Sequence, residues 1–198
     1  MSHFNDKAAE WDNEGKIKMM GKLAEKTISA LQLKGPLSVM DFGCGTGLFG
    51  LEFADYASSL LGVDTSEGML EVFDQKTKGQ DRFRSKLINL EQQNLNEKFD
   101  LIVSSMAFHH LNHPDQMILK MKTLLNPKGR LAIVDLDKED GTFHPNNSEM
   151  GVKHFGFGKE ELEAWAREAG MKFSHQIINQ VEKNDRNYGQ FLAIFTKD

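Results

Sequence analysis

The segment Asp41–Gly47 places three glycines at alternate positions after an acidic residue, at the end of the apolar run 37–42. Glycine tolerates positive φ angles and lets a ligand approach the backbone closely. A helix that follows such a turn presents free N–H groups and a partial positive charge, which suit a carboxylate or a phosphate. Asp41 can accept a hydrogen bond from a ligand ammonium group. The pattern predicts a ligand-binding turn, with a tight strand–helix turn that binds nothing as the alternative.

A second acidic residue, Asp64, ends another apolar run, 60–63. A carboxylate at the end of the strand that follows a glycine turn can accept hydrogen bonds from both hydroxyls of a ribose. Taken alone, Asp64 is more typical of a helix cap, a role that Thr65 or Ser66 could also take. The glycine turn upstream favours the ribose interpretation.

Histidines provide the candidates for proton transfer. His109 and His110 follow the strand-like run 99–105, and His144 and His154 lie in the polar segment 137–157, which has no clear period. The pKa of histidine is close to working pH, so it is the natural general base. We predict that His109 and His110 are catalytic and that His144 and His154 contact the substrate, with structural roles as the alternative.

Between these candidates, apolar runs alternate with amphipathic helical patterns, which predicts a mostly parallel sheet with helices on both faces. The last two strand-like runs, 173–181 and 191–196, are too close together for a helical crossover, so they should be antiparallel. The predicted fold is α/β: a doubly wound, Rossmann-like sheet of seven strands with an antiparallel strand near one edge. Ligands of such sheets bind at the carboxyl ends of the strands.

Composition narrows the possible functions. The chain has 198 residues, which suits a single domain over 1–198, with region 1–33 packed on it as a lid and helix. A net charge of −5 argues against a phosphate-backbone binder, so no nucleic-acid partner is expected. No secretory signal or membrane span is recognisable, and the one cysteine forms no disulfide within the chain, so we expect a cytoplasmic monomer or homodimer.

Together these motifs resemble the class I S-adenosylmethionine-dependent methyltransferases, in their small-molecule branch. The resemblance covers the chain from Phe4 to about Phe195. It implies that S-adenosyl-L-methionine is the cofactor and S-adenosyl-L-homocysteine the product. It also implies that the glycine turn holds the methionine part and that Asp64 holds the ribose. The implied cofactor-binding residues are Asp41, Gly43, Cys44, Gly45, Thr46, Gly47, Asp64, Thr65, Ser66, Met69, Asn89, Leu90, Ser104 and Ser105.

Some positions bear on the substrate. The opening Phe4–Asp12 resembles the N-terminal lid of small-molecule members, which implies that Trp11 covers the pocket. Asn89 stands where the family usually has an acid near the adenine. Ser104 and Ser105 stand where members that methylate nucleic-acid bases carry an Asn/Asp-Pro-Pro-aromatic motif. The acids Asp135, Asp137 and Asp140, taken with His144, match no strong metal-ligand spacing, so no metal is expected.

The sequence therefore predicts methyl transfer to a small-molecule acceptor. An NAD-dependent oxidoreductase is one alternative, because Gly45–Gly50 also matches G-x-G-x-x-G and Asp64 would fit an NAD ribose. The chain has no obvious Tyr/Lys catalytic pair, which counts against it. A non-catalytic module that binds S-adenosylmethionine is the other alternative, and in that case His109 and His110 would be dispensable.

Overall fold

A computed structural model describes residues 8–183 and 185–198, apart from the side chain of residue 9. Seven strands form one sheet in the order β3-β2-β1-β4-β5-β7-β6. All neighbours are parallel except β7, which is antiparallel to both β5 and β6. The predicted fold class is confirmed, with the antiparallel strand next to one edge.

The strands are β1 (Leu37–Phe42), β2 (Ala57–Asp64), β3 (Phe83–Leu87), β4 (Phe99–Ser105), β5 (Leu125–Leu136), β6 (Lys172–Lys183) and β7 (Arg186–Thr196). The α-helices are α1 (Glu14–Leu31), α2 (Glu67–Thr77), α3 (Pro114–Leu124) and α4 (Lys159–Glu168). Short 3₁₀ helices cover Ala8–Glu10, Gly50–Tyr56 and Phe108–His110. The segment 137–157 has no helix and only an isolated bridge between Asp137 and Phe157, as expected for a long loop.

The central strands are buried on both faces because helices cover the sheet on both sides. In β4, Leu101 and Val103 pack into one hydrophobic cluster with Phe53 and Phe73, while Ile102 packs into the opposite cluster. Successive strand residues point to opposite faces, so a continuous apolar run supplies both clusters. The strand order reverses between β1 and β4, and this places the crevice of a doubly wound sheet at their carboxyl ends.

Two connections differ from what their local sequence predicts. The pattern of residues 48–56 predicts an α-helix, but the structure has a 3₁₀ helix over Gly50–Tyr56. This segment returns the chain along β1 within seven residues. Because a 3₁₀ helix rises about 2.0 Å per residue, against about 1.5 Å in an α-helix, it covers a longer distance with the same number of residues. The Asn-Pro-Lys-Gly sequence of 126–129 predicts a turn, but these residues lie inside β5. Lys128 there has a φ of 62°, and the pairing of β5 with β4 shifts its register between Phe99 and Leu101.

Candidate functional site

A cavity of about 510 Å³ opens at the carboxyl ends of β1, β2 and β4, which is within the usual size range of small-molecule sites. It lies at the predicted edge of the sheet, where the strand order reverses. Fifteen of the nineteen predicted site residues line it. They are Trp11, Asp41, Gly43, Cys44, Gly45, Thr46, Asp64, Thr65, Met69, Asn89, Leu90, Ser105, His109, His110 and His144.

Two predicted cofactor residues near the glycine turn do not line the cavity. Gly47 faces the core instead, and a Cβ there would lie 2.8 Å from side-chain atoms of Leu51 and Phe73. Ser66 is the N-cap of α2, and its hydroxyl accepts a hydrogen bond from the backbone N–H of Met69 at 3.3 Å. Both residues support the shape of the turn and the helix behind it.

Ser104 and His154 also lie away from the cavity wall. The hydroxyl of Ser104 is buried inside the sheet and donates to the Phe42 carbonyl at 2.9 Å. Nε2 of His154 donates to the Leu111 carbonyl at 3.0 Å, and its backbone N–H donates to the His109 carbonyl. His154 therefore attaches the long loop 137–157 to the segment that carries His109.

The glycine turn is held by hydrogen bonds to the end of β2. Gly43 and Gly45 have φ angles of 67° and 51°, a region that favours glycine. The N–H groups of Gly43 and Cys44 both donate to the Val63 carbonyl, at 2.9 and 3.1 Å. This geometry turns the chain away from β1 and leaves Gly45 facing open space in the cavity.

Asp64 connects the glycine turn with the start of α2. One carboxylate oxygen accepts from the Gly45 N–H at 2.8 Å, and the other accepts from the Ser66 N–H at 2.9 Å. Burial raises the pKa of Asp64, and the hydrogen bonds from these amides counteract part of the rise. Each oxygen keeps a second lone pair, so the carboxylate can still accept a hydrogen bond from a ligand hydroxyl.

Asp41 is a buried acid whose burial is only partly compensated by hydrogen bonds. Its Oδ2 atom has no hydrogen-bond partner within the described part of the chain. Burial, together with the nearby charge of Asp64, raises the pKa of Asp41 to about 7, and the Gly50 amide lowers it only in part. An unpaired carboxylate oxygen in a cavity wall is suited to a cationic ligand group, which would pair with it.

Cys44 is a packing residue of the turn. It is buried, and burial together with the charges of Asp41 and Asp64 raises the pKa of its thiol well above the ordinary value. A thiol of this kind stays protonated and is a poor nucleophile. This environment favours contact with a bound ligand over reactivity.

His109 forms a buried pair with Asp135, a residue that the sequence analysis considered only as a metal ligand. Nδ1 of His109 lies 2.7 Å from Asp135 Oδ1, and the exposed fractions of the two side chains are 1% and 0%. Asp135 Oδ2 also accepts from the backbone N–H of His109 at 3.2 Å. The only sequence signal for Asp135 was its position near the carboxyl end of β5, beside β4.

Two further histidines stack against His109. The His110 and His144 rings have centroids 4.1 and 5.1 Å from the His109 ring. Burial, and then the proximity of His109, lowers the pKa of each of them to about 4. Both rings are therefore neutral at physiological pH, and they form an aromatic wall beside His109.

The N-terminal segment closes one side of the cavity. Trp11 lines the cavity, and the ammonium of Lys16 lies 3.1 Å from the centroid of its ring. Asp12 accepts from the Thr46 hydroxyl at 2.5 Å and forms an ion pair with Lys76, which also donates to the Thr46 carbonyl. The sequence analysis missed Asp12 and Lys76. The remainder of the predicted lid, residues 4–7, lies outside the described residues.

Several apolar side chains that the sequence analysis did not assign to the site also line the cavity. Met106 follows β4 with a φ of 55° and receives a contact from the Gln190 amide at 3.3 Å. Positive φ in a non-glycine residue is often found at functional sites. The other apolar lining residues outside the predicted set include Met19, Met20, Phe42, Leu48, Phe49, Val63, Ile88, Ala107, Leu111, Phe143 and Met150.

Comparison with known proteins identifies relatives of this chain. The sequence profile described as a methyltransferase domain matches residues 40–131. An uncharacterised methyltransferase of Schizosaccharomyces pombe is 33% identical over 138 residues, which are 62% of this chain and 49% of that protein. The chain thus spans about half the length of that relative. The ubiquinone biosynthesis O-methyltransferase of Coxiella burnetii is 28% identical over 227 aligned positions, covering 100% of this chain and 95% of that protein.

Solved structures share the fold. The N-methyltransferase NodS of Bradyrhizobium japonicum, in complex with S-adenosyl-L-homocysteine, superposes with a TM-score of 0.70 at 19% identity. The match covers 94% of this chain and 89% of that one. Within the described residues, none of the helices is long and apolar enough to cross a membrane.

Proposed function

We propose that this chain, which belongs to the class I S-adenosylmethionine-dependent methyltransferases, transfers the methyl group of its cofactor to a small-molecule acceptor. One observation carries the proposal. A single cavity of about 510 Å³ is lined by the glycine turn and Asp64 and also by His109. The residues suited to holding the cofactor and the group suited to moving a proton therefore share one space.

The residues present fit S-adenosylmethionine. The unpaired Asp41 Oδ2 is suited to the cofactor ammonium, and the open space at Gly45 lets its methionine part approach the backbone. Asp64 would accept the ribose hydroxyls, with Asn89 and Leu90 beside the adenine. When bound, the cofactor supplies an electrophilic methyl group on a sulfonium sulfur.

The chain itself would contribute positioning, exclusion of water and a proton acceptor. Well-oriented reactants can account for roughly 7–11 kcal/mol of the barrier. The segment with Trp11, held by Asp12, would cover the cavity, so that Met20 and Phe143 replace water around the reactants. His109, on Asp135, would accept a proton if the acceptor must lose one.

Three observations support a small-molecule acceptor. The cavity is a pocket lined largely by apolar side chains, and the net charge of −5 disfavours a nucleic-acid partner. The relative from Coxiella burnetii, which this chain matches over its whole length, is named for O-methylation in ubiquinone biosynthesis. The proposal treats 1–198 as one domain with 1–33 as its lid region, acting as a monomer or homodimer.

Calorimetric titration with S-adenosylmethionine, S-adenosylhomocysteine and NAD tests the cofactor assignment. We expect affinities in the micromolar range, about −8 kcal/mol, for the first two and no binding of NAD. Binding of NAD alone would instead support the oxidoreductase alternative.

The variant Asp64→Ala should bind S-adenosylmethionine more weakly by about 1–3 kcal/mol, the usual value for hydrogen bonds to a charged group. Unchanged affinity in this variant would contradict the role given to Asp64.

The non-catalytic alternative makes a different prediction about the histidines. If the chain only binds the cofactor, replacing His109 and His110 by glutamine should change nothing that can be measured beyond binding. If the chain is an enzyme with a histidine base, the double variant should lose about 10²–10⁴-fold in turnover on any acceptor found by screening. Turnover that is unchanged would remove both histidines from the mechanism.

The N-terminal segment should contribute to cofactor affinity through Asp12. Asp12→Ala removes the acceptor for Thr46 and Lys76, so the segment with Trp11 should detach more often. We expect about a fivefold loss in affinity for S-adenosylmethionine, which is ~1 kcal/mol, the usual value for a partly exposed ion pair with a hydrogen bond. Asp198→Ala, which breaks the exposed pair with Lys172, is the control and should bind normally. Equal affinities in both variants would show that the segment does not cover the bound cofactor.

A further inference from the structure

His109, which lines the cavity, is paired with Asp135 through one ring nitrogen, and its other ring nitrogen is unpaired. Nδ1 of His109 is bonded to Asp135 at 2.7 Å. Nε2, on the opposite side of the ring, is buried and has no hydrogen-bond partner among the described residues. A buried polar atom without a partner is costly unless a ligand pairs with it. Since His109 lines the cavity, a bound acceptor is the natural candidate for the missing partner.

The surroundings of the pair determine which tautomer His109 adopts. Burial raises the pKa of Asp135, but the nearby His109 and the hydrogen bonds from His109 and Leu136 outweigh it and lower the pKa overall. The Leu136 N–H donates to the same oxygen at 2.7 Å. An ionised carboxylate accepts only, so Nδ1 carries the proton, and in the neutral tautomer Nε2 has a lone pair. The pair thus has an unused hydrogen-bond acceptor on a ring that lines the cavity.

The rings and side chains next to His109 are mostly neutral. His110 and His144 stack on His109 as neutral rings, and the apolar side chains of Phe143 and Met106 line the same cavity. The His110 ring pairs through Nδ1 with the Gly151 carbonyl at 3.1 Å. These neutral rings and apolar side chains offer no charge that could pair with an ammonium, carboxylate or phosphate on the acceptor. The nearby Lys183 ammonium, 5.0 Å from the centroid of the Phe143 ring, already donates to the Phe143 carbonyl.

The charged side chains of the cavity have other partners, apart from Asp41, whose unpaired Oδ2 atom we assign to the cofactor ammonium. Glu91 accepts from the Asn112 and His113 amides, and Lys16 lies over the ring of Trp11. Asp64 is bonded to the glycine turn. An alkyl amine would enter such a site as a cation without a partner, and a thiol ionises readily without a base. A hydroxyl on an uncharged ring is the acceptor that needs both an apolar wall and a proton acceptor.

We propose that the acceptor is a weakly acidic hydroxyl, phenolic or enolic, on an apolar ring, and that Asp135 positions His109 to receive its proton. This proposal rests on the proposed function. The O–H bond breaks and its proton passes to Nε2 of His109, while the oxygen forms a bond to the methyl carbon. The electron pair of the broken carbon–sulfur bond stays on sulfur, in S-adenosylhomocysteine. Atoms and charges balance without a metal or a further reactant.

The test uses 4-nitrophenol, whose phenolate form absorbs visible light, and protein saturated with S-adenosylhomocysteine. At a pH where 4-nitrophenol in water is mostly protonated, its binding should produce the phenolate band, because Nε2 takes the proton. His109→Gln should bind S-adenosylhomocysteine within about twofold of the unchanged protein and show at least about tenfold less phenolate. The control His113→Gln, an exposed position outside the cavity, should keep the full band.

The variant Asp135→Asn tests positioning separately from proton acceptance. An asparagine amide can donate to Nδ1, which would place the proton on Nε2 and remove the lone pair from the cavity. We expect the phenolate band to fall at least about tenfold, although the histidine itself is present. A band that persists in this variant would overturn the role of Asp135.

The remaining outcomes are also decisive. If the loaded protein does not bind 4-nitrophenol, binds it only in protonated form, or keeps the phenolate band in His109→Gln, the hydroxyl acceptor is overturned. These results are distinguishable from failure of the proposed function, in which the unchanged protein would not bind S-adenosylhomocysteine in the first place. A band that depends on both His109 and Asp135 supports the proposal.

Discussion

Replacing Gly45 with valine is expected to abolish binding of S-adenosylmethionine while leaving the protein folded. A Cβ at Gly45 would meet only the Met69 sulfur, 4.0 Å away, and would otherwise project into open space in the cavity. The backbone φ of 51° is left-handed, which costs a non-glycine residue about 1–2 kcal/mol. Side-chain atoms at this position would occupy the space that the cofactor needs, so the loss falls on binding. On the same sample, calorimetry measures the loss of S-adenosylmethionine binding, and thermal unfolding measures whether the protein is still folded.

Gly47→Val is the matched control, with the opposite expected outcome. Its Cβ would lie 2.8 Å from atoms of Leu51 and Phe73 in the core, and its φ is 85°. Overpacking of this kind costs about 1–3 kcal/mol in addition to the backbone strain, so the midpoint of thermal unfolding should fall markedly. If Gly45→Val folds and binds S-adenosylmethionine normally, the cofactor does not approach this turn and its assignment is wrong.

Asp41→Asn is expected to stabilise the ligand-free protein above neutral pH and to weaken cofactor binding. The pKa of Asp41 is raised to about 7, first by burial and then by Asp64. Since the folded protein holds this proton more tightly than the unfolded chain, the free energy of unfolding falls as pH rises from about 4 to about 7. Asparagine has no such titration. The gain at about pH 8 should approach ~4 kcal/mol, the equivalent of a pKa rise of about three.

The same variant should lose the charge that would hold the cofactor ammonium. We expect affinity for S-adenosylmethionine to fall by about 1.5–3 kcal/mol, roughly 10- to 150-fold. Urea unfolding at several pH values and calorimetry measure the two effects separately. If the variant is no more stable than the wild-type protein at about pH 8, ionisation of Asp41 does not destabilise the folded protein. Unchanged affinity would remove it from the site. If the variant is more stable and also binds the cofactor more weakly, Asp41 lowers folding stability while it contributes to binding, as is common at ligand sites.

Local patterns were sufficient to predict the sheet and most of the predicted residues that line the cavity. The glycine turn, Asp64 and Asn89 each follow a strand, and the carboxyl ends of parallel strands meet at one edge of the sheet. Their convergence could therefore be predicted without coordinates. The antiparallel end of the sheet followed from the short spacing between β6 and β7, which allows no helical crossover.

Choices between adjacent residues could not be predicted in the same way. Ser104 and Ser105 are neighbours in one strand, so their side chains point to opposite faces. Ser104 bonds to Phe42 inside the sheet, while Ser105 lines the cavity. Gly45 and Gly47 are likewise two glycines of the same turn, yet Gly45 faces the cavity and Gly47 faces the core. Only the register of the folded chain decides which member of each pair faces the cavity.

The sequence by itself determined the fold class, the glycine turn and the edge of the sheet where the cavity lies. It did so because strand periodicity and glycine conformations are properties of short segments. Only the tertiary structure brought Asp135 to His109, 26 residues earlier, and Asp12 to Lys76, 64 residues later. These contacts depend on which strands become neighbours and on where the N-terminal segment packs. A side chain's role in proton transfer or closure is set by such distant partners, and no local pattern specifies them.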